Sequence, residues 1–90
     1  MDLGLSGKTA LVSASSGGIG EAIATSLARE GVKVVINGRS QDSTARAIVQ
    51  ILKEVPGAQL TPLVADLGTR QGCDAAVKAL DAVDILVNNL

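Results

Sequence analysis

The chain has 90 residues, of which 47% are hydrophobic and 19% charged, and its formal net charge is −1. This length allows one domain at most and the apolar content is sufficient for a packed core, which excludes a two-domain enzyme and a disordered polyelectrolyte. The sequence holds no aromatic residue, no histidine and one cysteine, which argues against a nucleic-acid partner, a zinc site and a disulfide-stapled secreted fold. No stretch resembles a signal peptide or the roughly 20 apolar residues of a membrane helix, so we expect a soluble, cytoplasmic protein.

Hydrophobic patterning predicts four strands that alternate with three helices. The predicted elements, in chain order, are strand 9–13, helix 20–30, strand 32–36, helix 41–55, strand 59–65, a helix that begins after Thr69, and strand 84–88. Gly31 is of the type that commonly ends a helix, and Ser40 is of the type that caps the start of one. The pair Asn37–Gly38 is predicted to end the second strand as a turn. Pro62 cannot donate an N–H to a ladder, so the third strand is assigned to a sheet edge.

Short apolar strands separated by helical segments predict βαβ units, that is, a doubly wound parallel sheet of the α/β class. With right-handed crossovers and the third strand at an edge, the expected strand order is 3-2-1-4. The chain would then stop at Leu90 beside an unpaired apolar strand, which is an aggregation template. We therefore expect the 90 residues to be the first half of a larger fold.

Residues 13–20 form a glycine-rich run between the first predicted strand and the first predicted helix. The first amides of a helix have no intrahelical partners and lie at the positive end of the helix dipole, so they can bind a pyrophosphate without a lysine. Gly18 and Gly20 would permit close backbone approach and helix packing, while Ser15 and Ser16 could bond phosphate or ribose. A purely structural turn is the other interpretation, but the position after a strand favours nucleotide binding.

The residues around this run distinguish between classes of nucleotide. A P-loop ends in lysine and Ser/Thr after its last glycine, whereas Glu21 follows Gly20, so NTP hydrolysis is disfavoured. Sites for NAD or adenosylmethionine usually carry a carboxylate at the end of the second strand, where this chain has Arg39. A guanidinium can bind a 2′-phosphate through charge-assisted hydrogen bonds, so we expect NADP rather than NAD, unless Arg39 is only a solvated loop charge. Adenosylmethionine-dependent methyl transfer is a minor alternative.

The same residues resemble the short-chain dehydrogenase/reductase family, whose N-terminal pattern T-G-x-x-x-G-I-G aligns with residues 13–20. Ser13 replaces the threonine, and Ala14 replaces the first glycine, where a positive φ would be strained. Residues 66–67 resemble the acidic pair that follows the family's third strand, and residues 84–89 resemble the strand of its N-N-A-G pattern. The resemblance extends over the whole chain in the family's order and spacing.

The resemblance implies a Rossmann-type fold, with residues 1–90 as the dinucleotide-binding half of a single domain. The residues that would line the pyrophosphate and ribose are Ala14, Ser15, Ser16, Gly18 and Ile19. Arg39 would bind the 2′-phosphate, and Asp66 and Leu67 would contact the adenine, although a solvated carboxylate is the other interpretation of Asp66. Asn89 would lie on the ribose side of the cofactor.

Chemistry in this family depends on a Tyr-x-x-x-Lys pair and a serine, which exchange a proton while hydride moves to or from the nicotinamide. The 90 residues contain neither tyrosine nor histidine, so no catalytic residue is assigned and the catalytic half is expected beyond Leu90. We expect an NADP(H)-dependent oxidoreductase acting on a small carbonyl or alcohol, homo-oligomeric when complete. The alternative is a catalytically silent dinucleotide-binding or scaffolding module.

Overall fold

The computed structural model describes residues 6–13, 16–66, 69–72, 74 and 83–87. The strands are β1 (Thr9–Val12), β2 (Lys33–Gly38), β3 (Leu60–Val64) and β4 (Ile85–Val87), and the helices are α1 (Gly18–Arg29) and α2 (Gln41–Glu54). Residues 70–72 and 74 are also helical, and the rest of the predicted third helix lies outside the described residues. No helix in the described ranges is both long and apolar enough to cross a membrane.

The four strands form one sheet in the order β3-β2-β1-β4, with every pairing parallel, which confirms the predicted α/β class and strand order. Gln59 accepts a backbone hydrogen bond from β2 at 2.9 Å, and Ala65 donates one to β2 at 3.0 Å. The odd-numbered residues of this segment therefore face β2, and the nitrogen of Pro62 points away from the ladder. The proline lies at the sheet edge, where its missing N–H costs no hydrogen bond.

The main core lies between the sheet and the two helices. Its buried members come from β1, α1, β2 and α2 and the turn before β2: Ala10, Val12, Ala24, Ala28, Val32, Val34, Ile36, Ala47 and Ile51. The alternate residues Leu11 and Val35, which pair with each other in register, are also buried. Side chains on successive strand residues point to opposite faces, so β1 and β2 bury apolar side chains on both faces, as predicted for central strands of a parallel sheet.

As predicted, α1 ends before Gly31 and Ser40 caps the start of α2. Gly31 has φ +81, and hydrogen bonds from Gly31 N to Ala28 O (3.1 Å) and from Val32 N to Leu27 O (3.3 Å) form the Schellman arrangement after α1. The Ser40 side chain accepts from the N–H of Ser43 at 3.1 Å and so caps α2. Val32 thus belongs to the cap of α1, and β2 begins one residue later than predicted.

The predicted turn at Asn37–Gly38 is wrong, because both residues belong to β2 and pair in register with Leu63 and Val64. Asn37 is 3% exposed, and its side-chain amide makes hydrogen bonds across to the β3 segment that extend the ladder. The start of α1 also differs from the prediction, since helical structure begins at Gly18. The other predicted ends agree with the observed ones, as at Thr9 and Gln41, or differ by one residue.

Candidate functional site

The carboxyl ends of the strands lie at one edge of the sheet because all the pairings are parallel. Ligand sites of open α/β sheets occupy this edge, where the strand order reverses; here that point lies at β1, whose neighbours are β2 and β4. Ser13 follows β1, and both its N–H and its hydroxyl donate to the carbonyl of Val87, at 3.0 and 3.1 Å. These bonds fix the start of the glycine-rich turn against the end of β4.

The start of α1 leaves backbone N–H groups without a partner within the helix. The first i→i−4 bond of the helix runs from Glu21 N to Gly17 O at 3.3 Å, so the N–H groups of Gly18, Ile19 and Gly20 have no intrahelical acceptor. Gly17 is extended and caps the helix without a side-chain hydrogen bond. A Cβ added at Gly17 or Gly18 would meet no atom within 4 Å, and Gly18 has φ +53. The Ile19 side chain is 74% exposed, so an exposed apolar surface lies beside these amides.

Gly38 brings three segments together next to this turn. A Cβ at this position would overlap Oγ1 of Thr44 and would lie 3.0 Å from Cβ of Ser16. The absence of a side chain therefore allows β2, α2 and the glycine-rich turn to approach one another. The hydroxyl of Ser16 lies beside the end of β2 as a result, and Arg39 is the next residue along the chain.

Arg39 and Asp66, both predicted site residues, are neighbours in the structure. Nε of Arg39 lies 3.9 Å from Oδ1 of Asp66, and the two side chains are 82% and 46% exposed. They follow the carboxyl ends of adjacent strands, so the sheet itself brings them together. An exposed ion pair at this distance is weak, which leaves the guanidinium available to a ligand.

Asn37 fixes the backbone that leads to Asp66, and sequence patterning missed this role. Its Nδ2 donates to the carbonyl of Leu63 at 3.1 Å and to the carbonyl of Ala65 at 3.0 Å. Ala65 lies one residue beyond the end of β3, so the side-chain amide extends the attachment past the last paired residue. The signal in the sequence is a polar residue at the end of an otherwise apolar strand, which indicates a buried hydrogen-bond requirement.

Thr69 and Gly72 hold the other side of Asp66. The N–H and the hydroxyl of Thr69 both donate to the Asp66 carbonyl, at 3.1 and 2.8 Å, and Oγ1 of Thr69 accepts from the N–H of Gly72 at 3.0 Å. The predicted cap at Thr69 is therefore confirmed. A Cβ at Gly72 would overlap the Asp66 carbonyl, so this glycine, which by propensity only weakens a helix, permits the helical turn to approach.

The structure describes five of the nine predicted site residues, and they follow the sheet edge from the start of α1 to the end of β3. These five are Ser16, Gly18, Ile19, Arg39 and Asp66. The other four lie outside the described residues, and they are Ala14, Ser15, Leu67 and Asn89. The assignment of these four residues to the site stays a prediction from the sequence.

A groove of about 450 Å³ lies between α1 and α2, away from most of these residues. Its lining comes from the two helices alone, and the ion pair between Arg29 and Glu54 (3.2 Å) lies at the ends of those helices. The groove shares Gly18 with the predicted site but includes neither Arg39 nor Asp66. We therefore locate the candidate site at the carboxyl edge of the sheet and not in this groove.

Known proteins resemble the chain in sequence and in structure. The family model described as short chain dehydrogenase matches residues 8–90. An uncharacterized oxidoreductase, YvaG of Bacillus subtilis (strain 168), is 50% identical over 90 residues, which cover 100% of this chain and 34% of the relative. Glucose 1-dehydrogenase 2 of the same organism is 37% identical over 89 residues, covering 94% of this chain and 34% of the relative. This chain therefore spans about a third of the length of these relatives.

Solved structures agree with the sequence comparisons. The crystal structure of L-sorbose reductase from Gluconobacter frateurii, complexed with NADPH and L-sorbose, superposes with a TM-score of 0.89 at 37% sequence identity. The match covers 100% of this chain and 35% of the reductase. A hydroxysteroid dehydrogenase from Escherichia coli matches with a TM-score of 0.78 at 32% identity, covering 94% of this chain and 37% of that protein.

Proposed function

Because the chain belongs to the short-chain dehydrogenase family, we propose that it is the dinucleotide-binding half of an NADP(H)-dependent oxidoreductase. The observation that carries the choice of cofactor is the exposed guanidinium of Arg39 at the end of β2. It lies on the same sheet edge as the N–H groups at the start of α1. Together the two features offer one anchor for a diphosphate and another for a 2′-phosphate.

The residues at this edge suit a dinucleotide in shape and chemistry. The amides at Gly18 and Ile19 and the open space at Gly17 would accept a diphosphate, which the positive end of the α1 dipole stabilises. The exposed side chain of Ile19 would pack against apolar parts of the cofactor. The Ser16 hydroxyl, beside the end of β2, would bond the adenosine ribose or its phosphate. Among the residues outside the described ranges, the proposal assigns the same site to Ala14, Ser15, Leu67 and Asn89.

NADP is proposed over NAD on electrostatic grounds. A 2′-phosphate carries about −1.5 to −2 charges at neutral pH, and a guanidinium can donate two charge-assisted hydrogen bonds to it. Such hydrogen bonds contribute about 1.5 to 3 kcal/mol, which corresponds to roughly a tenfold to hundredfold preference. The L-sorbose reductase that this chain resembles was crystallised with NADPH, which supports the proposal.

A bound nicotinamide cofactor would supply hydride transfer, and the residues of this chain would hold and orient it. The 90 residues contain neither tyrosine nor histidine, so we place the groups that exchange the proton beyond Leu90. The substrate is then a small carbonyl compound or alcohol. We further propose a cytoplasmic, homo-oligomeric protein, the location being supported by the single cysteine. None of these findings favours the catalytically silent module.

The experiment compares NADP⁺ and NAD⁺ binding to the full-length protein that carries this sequence, by isothermal titration calorimetry. Arg39→Ala should weaken NADP⁺ binding by roughly tenfold to a hundredfold and leave NAD⁺ binding nearly unchanged, because only the 2′-phosphate contact is removed. The matched control is Arg29→Ala, which removes an exposed, ion-paired arginine at the end of α1. This control should leave both affinities unchanged.

Equal losses for the two cofactors in Arg39→Ala would contradict the 2′-phosphate assignment. Failure of the wild-type protein to bind either dinucleotide would contradict the proposed site as a whole. A wild-type protein that binds NADP⁺ but neither oxidises nor reduces any member of an alcohol and carbonyl panel would favour the silent module.

A further inference from the structure

We propose that Asp66 weakens the preference of this site for NADP(H) over NAD(H), because its carboxylate competes with the 2′-phosphate for Arg39. This inference rests on the proposed function and concerns a residue whose negative charge acts through its neighbour. The starting observation is the distance of 3.9 Å between Nε of Arg39 and Oδ1 of Asp66. The same guanidinium cannot offer its full set of donors to both anions at once.

The backbone of Asp66 is held by hydrogen bonds on both sides, which keep its side chain at the end of β3. Ala65 donates to the carbonyl of Gly38 at 3.0 Å and accepts from the side chain of Asn37 at 3.0 Å. On the other side, the Asp66 carbonyl accepts two hydrogen bonds from Thr69. Asp66 is therefore fixed at the end of β3, while Arg39 extends into solvent with 82% of its side chain exposed. Arg39 has the longer and more exposed side chain of the pair, so it can orient toward whichever anion attracts it more.

A 2′-phosphate bound by Arg39 would share its guanidinium with the Asp66 carboxylate. This competition for one cation opposes NADP(H) but has no counterpart for NAD(H), which lacks the phosphate. Exposed ion pairs are weak, so releasing Arg39 from the Asp66 carboxylate should raise the preference for NADP⁺ over NAD⁺ by about fivefold, the upper end of what such a pair contributes. Contacts between Asp66 and the adenine are common to both cofactors and cancel from this ratio.

The test measures the dissociation constants of NADP⁺ and NAD⁺ in the full-length protein by isothermal titration calorimetry. Asp66→Asn keeps the shape of the side chain and removes its charge. The expected result is a ratio Kd(NAD⁺)/Kd(NADP⁺) about five times that of the wild type at low ionic strength, decreasing as salt screens the charges. Glu54→Gln is the matched control, because it removes one carboxylate from an exposed ion pair at the opposite end of the helices. This control should leave the ratio unchanged.

The double variant Arg39→Ala/Asp66→Asn shows whether the effect passes through the arginine. If Asp66 competes for Arg39, the substitution should change the ratio less in the Arg39→Ala background than in the wild type. An unchanged or lower ratio in Asp66→Asn, with Arg39→Ala still losing NADP⁺ selectivity, would overturn this inference and leave the proposed function intact. A ratio that is unchanged in both Asp66→Asn and Arg39→Ala would overturn this inference and the assignment of Arg39 to the 2′-phosphate. Thermal unfolding of each variant establishes that the ratios are compared between folded proteins.

Discussion

Asn37 should contribute more to stability than any surface polar residue of the chain, because it attaches the end of β3 to β2. It is 3% exposed, and its Nδ2 donates to the carbonyls of Leu63 and Ala65 at 3.1 and 3.0 Å. Removing a buried donor leaves its acceptors to be satisfied in some other way, and each such hydrogen bond contributes about 0.5 to 1.5 kcal/mol. We therefore expect Asn37→Ala to lower the free energy of unfolding by about 1 to 3 kcal/mol.

Asn37→Asp separates the loss of hydrogen-bond donation from the loss of volume. Aspartate has nearly the same shape as asparagine, but an ionised carboxylate cannot donate and would face two carbonyl oxygens. Burial of a charge without a partner costs more than the loss of neutral hydrogen bonds, so this variant should be less stable than Asn37→Ala. The expected order, from most to least stable, is therefore the wild type, Asn37→Ala and Asn37→Asp.

The assay is equilibrium unfolding of the full-length protein in urea, followed by circular dichroism, with the slope of the transition used to check two-state behaviour. Gln50→Ala is the control, because Gln50 is an exposed amide on α2. It should change stability by no more than about 0.5 kcal/mol. An Asn37→Ala variant within that same range, or an Asp variant as stable as the wild type, would refute the role that we assign to the side-chain amide.

Two further predictions concern the start of each helix. Gly18→Ala should weaken NADP⁺ and NAD⁺ binding alike, by about tenfold, because Gly18 has φ +53 and the added methyl group points into space that we assign to the dinucleotide. Gly57→Ala, at another glycine with open surroundings, is its control in the same calorimetric titration. Ser40→Ala should cost about 1 kcal/mol of stability through loss of the hydrogen bond from Ser43 N, whereas Ser26→Ala, on the exposed side of α1, should be nearly neutral in urea unfolding. Unchanged affinity in the first case, or unchanged stability in the second, would contradict the respective role.

The sequence was sufficient wherever a structural feature depends on a local rule. Gly31 ends α1 because a residue with φ +81 is needed there, and Ser40 caps α2 through a bond three residues along the chain. Pro62 placed β3 at the edge because the absence of an N–H is a property of the residue itself. Strand order then followed from crossover handedness, which is common to parallel sheets.

The features that sequence reasoning missed depend on contacts between distant segments. Asn37 and Gly38 form a common turn pair, yet here they complete β2, since the amide of Asn37 finds carbonyls 26 and 28 residues further along the chain. Gly72 has low helix propensity, but its requirement for close approach appears only when the carbonyl of Asp66 is placed beside it. The hydrophobic periodicity of one segment carries no information about such contacts between distant segments. A prediction from one sequence therefore identified Arg39 and Asp66 singly and missed that they face each other.

The position of Arg39 and Asp66 on the sheet separates the choice of cofactor from the proposed reaction with the substrate. Arg39, which we assign to the 2′-phosphate, and Asp66, which competes for it, follow β2 and β3 on one side of β1, whereas β4 lies on its other side. The groups that exchange a proton with the substrate are proposed to lie beyond Leu90, and they would act at the nicotinamide end of an extended dinucleotide. Substitutions at sites that are well separated and share no partners add nearly independently. Changing Asp66 or Arg39 should therefore alter which dinucleotide is used and leave the choice of carbonyl or alcohol substrate unaffected. Substrate profiles of the variants, measured at saturating cofactor, would test this separation.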